Sequence, residues 1–212
     1  MDNRKMILLE GNIAAGKSTV GNLLKGSEMF DFIEEPVDAW QGGFASNLLD
    51  AFYRDMDRWA FTFQIVAFIT RPKTWKEMRA LTSHRFVVLE RSVYTDRHVF
   101  APMLHDLGAI SDAEWQVYCG LWDFVVSNYC AEPDCIFYLR TPAEVCLERI
   151  SARGRNEESG ITLEYLRALE TLHDKWLLGH LRVITLDGTR RWTADEVLEV
   201  SKDLLGVGVR DS

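Results

Sequence analysis

Residues 6–19 read MILLEGNIAAGKST, and the order of these letters decides the fold. A short apolar run (Met6 to Leu9) has strand length, and it stops at a glycine. Gly11 to Ser18 then fits G-x-x-x-x-G-K-[ST], and the helical spacing that opens at Lys17 supplies the strand–loop–helix setting that this motif requires. Glycines at both ends let the backbone curl, so that its N–H groups face a polyphosphate, and the helix N-terminus adds positive potential. Gly11, Asn12, Ala14, Ala15, Gly16, Lys17, Ser18 and Thr19 are therefore the expected donor-phosphate contacts. Lys17 is placed to bridge the β- and γ-phosphates, and the Ser18 hydroxyl to ligate Mg²⁺. A plain Gly-rich turn is the competing reading, and the placement between strand and helix argues against it.

Four further runs of strand length follow at 29–34, 85–90, 134–140 and 182–187, beside the first at 6–10. They are continuously apolar rather than alternating, as suits strands covered on both faces of a parallel sheet. Longer stretches of helical spacing lie between them at 46–80, 111–130, 142–152, 162–178 and 193–205. Ser111 to Glu114 forms a capping box, Pro142 opens a first turn, and Thr193 caps the last helix. The expected architecture is α/β, a five-stranded parallel sheet flanked by helices. No linker divides the chain, so one domain over 1–212 is expected, with the polar segment at about 149–160 as a lid.

Composition limits the partners. The chain has 212 residues and a net charge of -8, from 24 Lys+Arg against 32 Asp+Glu. Broad binding to nucleic acid or to an anionic membrane is not expected of such a surface. A polyanionic ligand must meet a local concentration of positive charge instead. No run reaches membrane-span length, the apolar N-terminal run is too short for a signal peptide, and the four cysteines have no metal-ligand spacing. A cytoplasmic protein with free thiols is expected.

Charged groups fall where phosphoryl transfer needs them. Glu35 ends the second strand, and the carboxyl ends of strands in such a sheet face the ligand crevice. A carboxylate there can accept a hydroxyl proton. Glu90 tips the third strand, placed to hold a metal, and Arg91 next to it can pair with Glu35 or with the moving phosphoryl group. Arg149, Arg153 and Arg155 suggest a lid over phosphate. A solvated Glu pair, a strand-end Glu–Arg and dipole-complementing arginines are the bland alternatives. No N/T-K-x-D segment for reading guanine is present.

Taken together, GNIAAGKST (11–19), EEPVDAW (34–40), FTFQ (61–64), ERSVYTDRHVF (90–100) and RGRNEESGITLEYL (153–166) resemble the deoxyribonucleoside kinases, in the deoxycytidine, deoxyguanosine and deoxyadenosine kinase branch. The resemblance implies a P-loop kinase fold and transfer of the γ-phosphate of ATP, or another NTP, to the 5′-hydroxyl of a deoxynucleoside. It makes Glu35 the general base and Arg91 the stabiliser of developing charge. Glu90 ligates Mg²⁺ with Ser18. Gln64 reads the base edge, while Trp40, Phe63 and Phe100 line and stack on it. Val37, Leu49 and Phe52 complete the wall, and Tyr53 and Glu158 hold the sugar 3′-hydroxyl. Trp192 matches an aromatic that stacks on the donor base opposite Arg149.

In the same resemblance, Ala67, Arg71 and Asp96 stand where the branch preferring cytosine and purines carries Ala, Arg and Asp. An Arg71–Asp96 pair over the base suits an exocyclic amine and leaves little room for the thymine methyl, so deoxycytidine, deoxyadenosine or deoxyguanosine is expected over thymidine. The family's helix-mediated homodimer finds candidate surfaces in 46–80 and 111–130. A thymidylate-type nucleoside monophosphate kinase is the enzymatic alternative, and it needs further basic residues for the acceptor phosphate. A non-catalytic nucleotide-binding regulator is the other.

Overall fold

A computed structural model of the chain describes residues 4–44, 46–79, 81–82 and 84–206. Five strands form one sheet: β1 (Lys5–Glu10), β2 (Phe30–Ile33), β3 (Phe86–Glu90), β4 (Cys135–Arg140) and β5 (Val183–Asp187). Their order is β2-β3-β1-β4-β5 and every pairing is parallel. Four lie within the runs expected from sequence, and β1 starts one residue before its run, at Lys5. Continuous apolarity has a direct cause here. In β1, Ile7 and Leu9 pack with Phe86, Val88, Cys135 and Phe137 on one face. Met6 and Leu8 pack with Val87, Leu89, Ile136 and Tyr138 on the other. A strand covered on both sides has no position left for a solvated residue.

The connections are helical. The first, α1 (Lys17–Lys25), crosses from β1 to β2. It carries Gly21, an expensive residue inside a helix. A Cβ there would meet the Phe32 ring at 2.1 Å, so the glycine is what lets α1 lie directly on the sheet. Helices α2 (Val37–Gly42), α3 (Leu48–Arg54) and α4 (Met56–Arg79) follow β2. After β3, α5 (Val93–Thr95), a π-helical turn (Asp96–Phe100) and α6 (Ala101–Asp106) follow one another without a break. Helices α7 (Asp112–Tyr129), α8 (Ala143–Arg153), α9 (Leu163–Leu177) and α10 (Ala194–Leu205) complete the chain.

The helix-start signals held where side-chain chemistry sets them. Ser111 and Glu114 close a capping box on α7, Thr193 and Glu196 close another on α10, and the Thr162 hydroxyl accepts from the Tyr165 N–H. Each such cap contributes about 1 kcal/mol. The helical stretch 46–80 divides into α3 and α4, because Asp55 leaves helical geometry and its carboxylate accepts from the Arg58 N–H at 3.1 Å. One expectation needs correction. Pro142 is the residue before α8 rather than its first turn. The six residues of α2 and the helix over 93–106 carry too little periodicity to be read from spacing alone.

β1 lies between β3 and β4, so successive connections leave it in opposite directions. Such a switch point opens a crevice at the carboxyl ends of the strands. No helix among the described residues is long and apolar enough to cross a membrane. All four cysteines are free thiols, with Cys135 and Cys146 buried.

Candidate active site

One continuous cavity of about 940 Å³ occupies that crevice. The loop after β1 forms one end. Its backbone takes left-handed values at Gly11 (φ 151°), Ala14 (φ 55°) and Gly16 (φ 104°). At Gly11 a Cβ would also meet the Leu139 carbonyl at 2.6 Å, so the loop can curl this tightly only with glycine. Lys17 folds back over the loop, and its Nζ donates to the carbonyls of Asn12 (2.8 Å) and Gly11 (3.3 Å). Burial, helped by the Arg91 charge, lowers its pKa to about 8. The Asn12 side chain donates to the Leu166 carbonyl at 2.8 Å and accepts from the Ile13 N–H, and so ties the loop to α9.

Ser18 donates to Glu90 at 2.9 Å. Burial raises the Glu90 pKa, with Lys17 opposing. A hydroxyl and a carboxylate at the mouth of a phosphate loop are hard oxygen donors that fit Mg²⁺, which takes few protein ligands and completes its shell with phosphate and water. No cluster of three or more His, Cys, Asp or Glu suited to a metal exists among the described residues.

The middle of the cavity holds an ion network. Glu35 follows β2. Its Oε1 accepts from Arg71 Nη2 in a short contact and lies 3.4 Å from Arg91 Nε. Burial pushes its pKa up, but Arg71, Arg91 and Lys17 outweigh burial and hold it below the ordinary value, so Glu35 is ionised. The same Arg71 presents Nη1 to both oxygens of Asp96, at 2.5 and 2.7 Å. The expected Arg71–Asp96 pair is thus one half of a triad, and the Arg71–Glu35 contact was not foreseen. Arg91 has a left-handed backbone (φ 61°), its N–H donates to the Leu9 carbonyl, and its guanidinium lies over the Phe100 ring at 4.8 Å. Behind this turn Glu10 is fully buried and accepts from Ser92 (2.7 Å) and Thr95. Nothing in the spacing had marked Glu10.

The far end is aromatic. Phe52 stacks on Phe63 at 4.7 Å, and Trp40 meets Phe63 edge-on at 5.4 Å. Trp40 is oriented by its indole N–H, which donates to Thr70, and Arg71 lies over its ring. Val37, Leu49, Ala67 and Phe100 close the walls. Gln64 is 2% exposed, and its Oε1 has no partner among the described residues. An amide oxygen left bare in an aromatic pocket is a group waiting for a donor. Tyr53 and Tyr165 line the same cavity, and Tyr165 too was missed, because a Tyr in a helix start reads as core.

Over the cavity, the arginines divide. Arg149 donates to the Ala15 and Gly188 carbonyls, each at 2.8 Å, and so clamps the phosphate loop to the segment after β5. Arg153 and Arg155 both pair with the buried Glu158 carboxylate, Arg155 at 2.9 Å. Glu158 is therefore held by both lid arginines while it lines the cavity. The neighbouring Glu157 accepts from Gln41 (2.9 Å) and Asn47 (2.8 Å), which fastens the lid to α2 and the start of α3. The Arg190 guanidinium lies over the Trp192 ring at 4.0 Å. Of the expected residues, all but Gly11 and Asn12 line this one cavity.

Comparison with known proteins places this geometry among relatives. A family model described as deoxynucleoside kinase matches residues 7–205. The probable deoxycytidine kinase of fowlpox virus (strain NVSL) is 40% identical over 178 residues, 84% of this chain and 73% of its own. Human deoxycytidine kinase is 38% identical over 198 residues, covering 82% of this chain and 75% of that one. The mitochondrial thymidine kinase 2 of Macaca fascicularis is 31% identical over 183 residues, covering 84% and 66%.

Proposed function

The chain belongs to the deoxynucleoside kinase family, a phosphotransferase that moves phosphate from a nucleotide donor to a nucleoside, and we propose that it phosphorylates the 5′-hydroxyl of deoxycytidine, deoxyadenosine or deoxyguanosine in preference to thymidine, with MgATP as donor. Deoxycytidine heads that group, since relatives of 38–40% identity carry that substrate in their names. The observation that carries the reading is the Arg71 guanidinium, buried between Asp96 and Glu35 where the aromatic pocket meets the phosphate end. In the proposed pose the guanidinium takes the space a thymine methyl would need.

In this reading the sugar 5′-oxygen meets Glu35 Oε2, because both arginines bind Oε1. As the O5′–P bond forms and the bond to the β-phosphate oxygen breaks, the hydroxyl proton passes to Glu35 and the donor leaves as ADP. Glu35 is a weak base at its lowered pKa. That suffices where the transition state is loose and the proton moves late, so that orientation matters more than basicity. Arg91 and Lys17 neutralise charge on the moving phosphoryl group. Ser18 and Glu90 would hold Mg²⁺, whose positive charge would offset part of the charge of the phosphates. Arg149 keeps the loop in shape, and the lid arginines become available to phosphate if Glu158 releases them.

Monophosphate acceptors fit less well. Arg71 and Arg91, the arginines nearest Glu35, both already face carboxylates. Two further parts of the proposal concern assembly and place. The α7 side chains Val117, Leu121 and Phe124, spaced i, i+4, i+7, are exposed, as is Ile69 on the adjoining α4, and they support a helix-to-helix homodimer. Free thiols support a cytoplasmic setting. The test is ADP release with MgATP and each of the four deoxynucleosides and their monophosphates. Deoxycytidine or a purine deoxynucleoside should turn over fastest. Fastest turnover of thymidine or of a monophosphate would overturn the proposal.

A further inference from the structure

Tyr165 sits in the first turn of α9, where the Thr162 hydroxyl caps its backbone N–H at 3.2 Å. Its side chain lines the cavity, yet its hydroxyl oxygen is buried without a hydrogen-bond partner among the described residues. Phenylalanine would fill the same volume without a desolvated hydroxyl, so packing gives no account of the oxygen. Its neighbours say what kind of group would meet it. After burial, Tyr165 and then Glu158 are the groups that most disfavour ionisation of Tyr53, and Arg91 is the charge acting on Tyr165. Burial raises the phenol's own pKa, so the hydroxyl keeps its proton and can donate. Tyr165 thus lies between the side chains at the sugar end of the proposed acceptor (Tyr53, Glu158) and the arginine beside Glu35.

From this placement we infer that the Tyr165 hydroxyl hydrogen-bonds a sugar oxygen of the bound deoxynucleoside, and is a further substrate-binding residue of the site. The inference rests on the proposed acceptor pocket.

Tyr165→Phe separates this role from a structural one by sign. If only the ligand uses the hydroxyl, the ligand-free variant should melt at the wild-type temperature or above it, because an unpartnered buried oxygen has been removed. Its KM for deoxycytidine should rise about fivefold, the worth of one neutral hydrogen bond, and the melting-temperature gain from saturating deoxycytidine should shrink. KM for ATP should not move. A variant that melts lower without ligand but keeps its KM for deoxycytidine would overturn the inference, since the hydroxyl would then serve the fold. So would a change confined to the ATP KM. A wild-type chain inert toward every deoxynucleoside would refute the proposed function itself, whereas an active wild type matched by the variant refutes only the role of Tyr165.

Discussion

Replacing Arg71 by Met tests the buried ion network most directly. Arg71 and Asp96 side chains are 7% and 1% exposed, so the variant leaves a carboxylate in the interior without its partner. Removing one member of such a pair costs about 3–5 kcal/mol. Protonation sets a ceiling. Burial already pushes Asp96 up to about 7 with Arg71 in place, and without Arg71 the carboxyl takes a proton at neutral pH. Relative to wild type, the penalty follows the gap between the two native-state pKa values. Below pH 7 both native forms hold the proton and the gap contributes little; above pH 7 the wild type releases it and the variant does not, so the penalty grows by about 1.4 kcal/mol per pH unit. It should be about 2 kcal/mol larger at pH 8.5 than at pH 5.5. The double variant Arg71→Met with Asp96→Ala removes both charges and should recover at least about 2 kcal/mol of the single variant's loss. Urea unfolding of the three proteins at both pH values reads this out. A double variant less stable than Arg71→Met, or a single-variant penalty flat in pH, would refute the reasoning. The same double variant should raise thymidine turnover relative to deoxycytidine.

Other consequences are open to measurement. Glu35→Gln should lower kcat by about 10²-fold or more while the deoxynucleoside still raises the melting temperature, and unchanged turnover would remove Glu35 from its role. Lys17, with a pKa lowered to about 8, loses its charge in the free protein as pH rises through that value. A plot of kcat/KM for ATP should therefore fall above pH 8, while kcat, measured with phosphates bound, should fall only at higher pH; a flat kcat/KM to pH 9.5 counts against this. His173 is fully buried, its Nδ1 bonded to the Leu169 carbonyl, and burial drives its pKa down to about 3. Its unfolded form takes a proton below about 6.5, so stability is lost as pH falls, by about 2 kcal/mol between pH 7.5 and 5. His173→Leu should remove that part of the acid sensitivity, and an identical pH dependence in variant and wild type would show that the loss lies elsewhere.

What sequence could show followed the range of the interactions. The central strands β1, β3 and β4 were legible because burial on both faces leaves a nearly unbroken apolar run, and the caps at Ser111 and Thr193 because a cap is decided within four residues. The lid pairings of Arg153 and Arg155 with Glu158 were within reach for the same reason. The Arg71–Glu35 contact was not: the two residues are 36 positions apart, on α4 and at the end of β2, and no periodicity links them. The direction of the Asn12 side chain was not legible either, because the loop motif describes backbone shape and its partner Leu166 lies far along the chain. Glu10 was hidden by its position inside an apolar strand. Most cavity residues were found through the family resemblance, since an aromatic in a helix is otherwise indistinguishable from core.

The shared guanidinium of Arg71 constrains how this protein can change. Under the proposed function, one side chain holds both the acid that borders the base and the acid that meets the 5′-hydroxyl. A substitution that opens the pocket to a different base also alters the charge balance around Glu35. Substrate range and turnover are therefore inherited as a single trait. A lineage, or a designer seeking activation of an unnatural nucleoside, would have to cross a poorly catalytic intermediate or supply a second cation before giving up the first.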